Sequence, residues 1–158
     1  MSVRTRTILL VVTMLSIPLG LLAADSDPMM GTFKLNVEKS KLPPNYSRSI
    51  TRQHVPVPGG VKVIQDRVSA DGKEGHGEFT LMFDGKEYPI TGDPNVATLI
   101  LKRIDKYTVE GIGKKDGHEI THFTWKVSKD GKVLTYPNKR IYPPDKVGET
   151  IQVLDRVE

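Results

Sequence analysis

The chain has 158 residues, no cysteine and a formal net charge of +4, from 23 basic and 19 acidic residues. This length suits one domain, and without cysteine that domain holds together without disulfides. The near balance of charge, with no dense stripe of lysine and arginine, argues against a nucleic-acid-binding protein.

The beginning of the chain has the pattern of a secretory signal peptide. Arg4 and Arg6 precede an apolar run, and two alanines and a polar segment follow it. The run is interrupted, and it is shorter than the ~20 apolar residues of a membrane-spanning helix. We therefore expect residues 1–24 to be removed, by cleavage after Ala23 or Ala24, rather than retained as a membrane anchor. The mature protein is then exported to the periplasm or the extracellular space and is soluble.

The mature segment, residues 25–158, is predicted to be a single all-β domain. Asp-Gly occurs four times, and this dipeptide favours tight hairpins because the central residues of such turns need positive φ. Many short strands with turn signals about 8–12 residues apart are typical of a barrel or sandwich. The predicted strands are 31–37, 47–55, 60–69, 75–83, 86–91, 97–104, 107–113, 121–127, 132–136 and 149–157. The alternation of apolar and polar residues is weak in 47–55 and 97–104, so the pattern assigns no inward face there.

Two predicted strands alternate clearly between apolar and polar residues. One contains Phe79, Leu81 and Phe83, and the other contains Phe123 and Trp125. Because successive side chains of a strand point to opposite faces, each set lies on one face. We predict that all five face the interior and line whatever cavity exists. The pattern does not distinguish a ligand cavity from an interior filled by side chains, which is common in small barrels.

One segment, His-Glu-Ile-Thr-His at 118–122, matches the H-E-x-x-H motif of zinc proteases. In those enzymes a helix places both histidines on one side of the metal. Here the motif follows an Asp-Gly turn and continues into β-branched and aromatic residues, which predicts a strand. The two histidines of such a strand lie ~13 Å apart, too far to share one zinc ion at ~2.1 Å. A small zinc protease using His118, Glu119 and His122 is therefore the least favoured function, and we expect no metal, cofactor or catalytic residue.

The first predicted strand contains Gly31-Thr-Phe-Lys-Leu-Asn36. It resembles the Gly-x-Trp motif on the first strand of lipocalins and fatty-acid-binding proteins, with Phe33 at the tryptophan position. Four longer blocks are similar to a group of bacterial exported lipocalin-like proteins without an established role: 31–41, 83–94, 101–105 and 127–132. The resemblance implies an antiparallel up-and-down β-barrel of about eight to ten strands around a small-molecule cavity. It also supports the assignment of 118–127 to a strand.

The chain departs from fatty-acid-binding proteins in two places. Those proteins hold the ligand carboxylate with Arg-x-Tyr on the last strand, where this chain has Gln152 and Leu154. They also place a helical pair after the first strand, where this chain has only the short segment 38–45. The resemblance therefore does not imply a fatty-acid ligand. From lipocalins it implies a different contact: an arginine near the C-terminus, here Arg156, covers Phe33 at the closed end of the barrel.

The sequence thus predicts an exported, non-catalytic, lipocalin-like protein that binds an apolar or amphipathic small molecule in its barrel. The alternative is a protein-interaction or envelope-structural module whose interior is packed shut. Neither nucleic acid nor stable membrane insertion is expected. The ligand and the oligomeric state are not determined by any motif in the chain.

Overall fold

In a computed structural model of the chain, residues 26–144 and 147–157 are described. The predicted signal peptide and its cleavage site lie outside these residues. Within the described ranges, no helix is long and apolar enough to cross a membrane.

The structure confirms the predicted all-β antiparallel fold. Ten strands follow one another along the chain, joined by turns and loops without an intervening α-helix in the described residues. Their bounds are β1 Gly31–Leu35, β2 Ser49–Val57, β3 Gly60–Val68, β4 Glu74–Met82, β5 Asp84–Pro89, β6 Thr98–Asp105, β7 Thr108–Lys115, β8 His118–Val127, β9 Val133–Arg140 and β10 Gly148–Arg156.

These strands form one up-and-down sheet that curls into a nearly closed barrel. The order is β4-β3-β2-β1-β10-β9-β8-β7-β6-β5, so nearly all neighbours are consecutive, and β1 pairs with β10. β4 and β5 stand at the two ends of this order and share no ladder within the described residues. The seam between them is bridged after β5, where the Thr91 hydroxyl donates to the Glu78 carbonyl at 3.1 Å. The Arg67 guanidinium also donates to the Gly92 carbonyl, at 3.1 Å.

The four Asp-Gly dipeptides do not all form the expected turn. Only Asp116-Gly117, between β7 and β8, has positive φ at both residues, 51° and 79°. Asp84-Gly85 is not a hairpin turn, because it lies inside β5 at a register shift against β6. A β-bulge absorbs the extra residue that such a shift creates. The dipeptide therefore indicates a local kink there rather than a strand connection.

One end of the barrel is closed by the chain segment that precedes β1. Met29 is fully buried there, and the Arg103 guanidinium pairs with the Asp27 carboxylate at 2.6 and 2.8 Å. The guanidinium carbon of Arg156 lies 4.5 Å from the centre of the buried Phe33 ring. Its nitrogens donate to the carbonyls of Pro28, Met30 and Gly131 at 2.5–2.7 Å. The predicted cover of Phe33 by Arg156 is confirmed.

His54 lies in this closed end as a neutral side chain. Its Nδ1 donates to the Met29 carbonyl at 2.8 Å, and its ring packs between Phe33 and Trp125. Burial lowers the pKa of His54 to about 3, and the nearby positive charge of Arg52 acts in the same direction. The imidazole therefore stays uncharged in the folded protein at neutral pH.

We expect this histidine to make the fold acid-sensitive. In the unfolded chain a histidine titrates near pH ~6.5, so between that pH and about 3 the unfolded state binds the extra proton. The free energy of unfolding should then fall as the pH decreases through this window, by up to about 1.4 kcal/mol per pH unit. Urea unfolding at several pH values checks this. His54→Gln should flatten the slope, and equal slopes in the wild-type protein and this variant would contradict the assignment.

Candidate functional site

The described residues form two large concavities, one outside the barrel and one inside. The outer groove, of about 640 Å³, runs over the outward faces of β6 to β10 and includes Ile100, Ile112 and Ile151. The interior cavity, of about 620 Å³, lies in the half of the barrel away from the crossing segment 27–30. We take the interior cavity as the candidate site because buried polar atoms without hydrogen-bond partners line it, and such atoms are rare in folded proteins.

Part of the cavity wall is apolar and aromatic. Phe79, Phe123 and Trp125 line it, together with aliphatic side chains from other strands. The Phe123 ring meets Tyr136 edge-on, with 5.1 Å between the ring centres. The same ring lies across the backbone of Gly111, where an added Cβ would come within 2.1 Å of it. Glycine at this position therefore makes room for an inward-pointing aromatic ring.

The other two residues predicted for the cavity lie elsewhere. Leu81 is fully buried but is not part of the cavity lining. Phe83 packs beneath Arg103, whose guanidinium carbon is 4.8 Å from the ring centre. Both residues follow Phe79 along the chain, towards the end where side chains fill the interior. Alternation identified one face of this segment, but it did not show where along that face the cavity ends.

A group of polar side chains also lines the cavity, and Arg52 is its centre. Arg52 is a charged residue of β2, yet its side chain lies in the barrel and it is only 6% exposed. Its Nε and Nη2 donate to Oε1 of Gln65, on the neighbouring strand, at 3.0 and 2.7 Å. Its guanidinium carbon lies 4.9 Å from the centre of the Tyr136 ring. Its Nη1 is enclosed and has no hydrogen-bond partner among the described residues.

Further polar side chains continue this group along β8, β9 and β10. The Thr121 hydroxyl hydrogen-bonds with Asn138 Oδ1, and Asn138 Nδ2 donates to the Tyr136 hydroxyl at 3.3 Å. Gln152, which is 2% exposed, has a buried Oε1 that lacks a partner within the described part of the chain. Around the cavity, one buried hydrogen-bond donor, on Arg52, and one buried acceptor, on Gln152, thus have no partner among the described residues.

The electrostatic environment of Arg52 is that of a buried cation among neutral groups. Burial raises the pKa of Tyr136 to about 12, against the opposing influence of Arg52, so its hydroxyl is neutral. Burial likewise raises the pKa of Tyr46. No carboxylate in the described ranges forms an ion pair with Arg52. Of the charged side chains that line the cavity, four are basic (Lys41, Arg52, Arg67, Arg140) and two acidic (Asp93, Glu149).

Sequence reasoning missed Arg52 because alternation is weak on its strand. Ile50, Arg52 and His54 point inward and are buried, while Thr51 and Gln53 alternate with them. Polar residues on both faces hide the period of two. The signal that could have found Arg52 is its pairing with Phe33, because residues directly opposite each other on neighbouring strands point to the same face of the sheet. Phe33 is paired with Arg52 in the β1–β2 ladder.

The H-E-x-x-H segment lies at the start of strand β8, as predicted, and its side chains His118, Glu119 and His122 are exposed. The His118 ring stacks on Tyr142 with 4.4 Å between ring centres, and His122 Nε2 lies 2.9 Å from Glu119 Oε2. Within the part of the chain that the structure describes, no group of three or more His, Cys, Asp or Glu residues could hold a metal ion. The strand is confirmed. That the segment binds no zinc stays a prediction.

The fold and the cavity together define a class: an all-β, antiparallel, nearly closed ten-stranded barrel, consistent with a calycin-like barrel. Comparison with known protein families and with curated proteins finds no match to the chain.

Proposed function

We propose that this protein is an exported, non-catalytic, lipocalin-like carrier that binds an amphipathic small molecule inside its barrel. The observation that supports this most strongly is the interior cavity of about 620 Å³, which is lined by both aromatic and polar side chains. Ligand sites commonly have ~300–1,000 Å³ and combine a mostly apolar lining with a few polar groups. Export rests on the pattern of the first 24 residues, and the lipocalin-like class rests on the resemblance around Gly31 and Phe33.

Trp125 provides the test, since it is the single tryptophan of the chain, is 3% exposed and lines the cavity. We expect blue-shifted emission from the free protein. The emission should change on titration with at least one of three ligands that share an alkyl chain and differ in head group: dodecan-1-ol, dodecanoate and dodecyltrimethylammonium. Calorimetric titration of the same ligands gives the affinities independently of fluorescence.

Two variants locate the binding site. Ile50→Phe adds volume inside the cavity, so it should weaken binding about 10-fold or more. Ile112→Phe makes the same change on the outer groove and should leave binding intact. If none of the three ligands binds, the carrier function is wrong and the interaction-module alternative gains support. Binding that survives Ile50→Phe but is lost in Ile112→Phe would place the ligand on the outside of the barrel.

A further inference from the structure

We infer that the ligand of this cavity carries a carboxylate and that Arg52 is the residue that binds it. This inference rests on the proposed function, because it names the chemical class of the molecule that the barrel holds. It does not rely on the last-strand positions that bind a carboxylate in fatty-acid-binding proteins, since those are Gln152 and Leu154 here.

One hydrogen-bond donor of Arg52 has no acceptor in the described structure. A buried charge is costly unless it is paired and hydrogen-bonded. Arg52 is only 6% exposed, and its Nη1 has no hydrogen-bond partner among the described residues. An oxygen supplied by a ligand would satisfy this donor. The protein thus holds a binding group that it does not itself complete.

Among the described residues, Arg52 also has no carboxylate in contact with it. The groups that contact or flank Arg52 are neutral: the amide of Gln65, the phenol of Tyr136 and the imidazole of His54. Asp93 lines the same cavity and attracts Arg52 at longer range, but it forms no ion pair with it in the described structure. The positive charge therefore favours an anion over a neutral or cationic head group.

The guanidinium of Arg52 has one edge that Gln65 does not use, and the shape of that edge matches a carboxylate. Gln65 takes the edge formed by Nε and Nη2. The remaining edge consists of Nη1 and the second hydrogen of Nη2, two parallel donors whose spacing matches the two oxygens of one carboxylate. A phosphate monoester carries more charge and a third oxygen, which would need donors beyond this one edge. The geometry therefore favours the carboxylate.

Apolar side chains beside Arg52 would hold the rest of the ligand. Arg52 is flanked on β2 by Ile50, and across the neighbouring strands lie Val63 and Phe79, all in the cavity lining. An alkyl or ring system attached to the carboxylate would lie against these side chains. The ligand class is thus an amphipathic monocarboxylic acid.

The experiment compares ligands of one chain length at neutral pH: dodecanoate, dodecan-1-ol, dodecyltrimethylammonium and dodecyl phosphate, each titrated by calorimetry. We expect dodecanoate to bind about 10-fold more tightly than dodecan-1-ol, the effect of a charge-assisted hydrogen bond. Arg52→Met should abolish this preference. The exposed Arg48→Met, at the start of the same strand region, should change neither affinity.

A second variant does not depend on removing the arginine. Gln65→Glu keeps the side chain's shape and adds a carboxylate that pairs with Arg52. It should lower the affinity for dodecanoate about 10-fold and thereby remove the preference for dodecanoate over dodecan-1-ol. Circular dichroism of each variant checks that the β-fold is retained.

The outcomes separate this inference from the proposed function. If dodecanoate and dodecan-1-ol bind equally well, or if the preference for dodecanoate survives Arg52→Met and Gln65→Glu, the inference is wrong and the carrier function stands. Tighter binding of dodecyl phosphate or of the ammonium compound would overturn the carboxylate assignment alone. If no ligand binds at all, the proposed function itself fails.

Discussion

Phe33→Ala is expected to lower the free energy of unfolding by about 3–5 kcal/mol, the range typical of a fully buried phenylalanine. Phe33 is 0% exposed, lies beneath the Arg156 guanidinium and packs 5.7 Å from the His54 ring, centre to centre. Its loss would leave a cavity where β1, β2 and β10 meet, and these strands join the N-terminal and C-terminal parts of the sheet. Urea unfolding followed by Trp125 fluorescence and by circular dichroism measures the change.

Phe83→Ala is the matched control. Phe83 also lies beneath an arginine, Arg103 at 4.8 Å, but it is only partly buried. Less apolar surface is removed from contact there, so the loss should be less than half that of Phe33→Ala. Equal losses for the two variants would mean that the covering arginine, rather than burial within the barrel, determines the contribution of the ring.

Gly92→Ala should destabilise the protein by about 2–5 kcal/mol, because it combines backbone strain with a clash. The backbone at Gly92 has φ +79°, and an added Cβ would lie 2.5 Å from the His76 carbonyl oxygen and 2.6 Å from the Gly77 Cα. This contact is where β4 meets the segment after β5. Since no ladder joins these two strands in the described structure, close backbone packing supplements the hydrogen bonds that Thr91 and Arg67 make across the seam.

Two other glycines separate the strain from the clash. Gly72 has φ +84° with nothing within 4 Å of an added Cβ, so Gly72→Ala should cost only the strain, about 1–2 kcal/mol. Gly77 has no positive φ, but its Cβ would lie 2.6 Å from the Thr91 carbonyl oxygen, so Gly77→Ala reports the clash alone. If Gly92→Ala and Gly72→Ala lower the unfolding free energy equally, tight packing at the seam does not contribute to stability.

Local patterns in the sequence were sufficient for the fold class. A strand can be recognised from local sequence alone, because β-branched and aromatic residues alternate with polar ones over a few positions and turn residues mark the two ends. The strand at 118–127 could therefore be predicted despite its match to a helical zinc motif. The contact between Phe33 and Arg156 was predictable for a different reason, because it follows from the resemblance at the first strand.

The candidate site depended on relations between distant parts of the chain. Arg52 faces the interior because β2 is paired with β1 and β3 in a register that places it beside Phe33 and Gln65. Its own strand carries polar residues on both faces, so no local period could assign it. Asp84-Gly85 has the composition of a hairpin turn, yet its pairing with β6 makes it part of a strand.

The sequence by itself determined that the chain forms antiparallel strands. It also determined which residues share a face on the strand of Phe79 and on the strand of Phe123 and Trp125. Only the tertiary structure decided where the interior is filled and where it is open. The segment 27–30 crosses one end and packs Met29 there, so Leu81 joins a solid core while Phe79, on the same face of the same strand, borders the cavity. The depth of a residue in a barrel is set by what crosses its end, and a strand's own alternation contains no information about that.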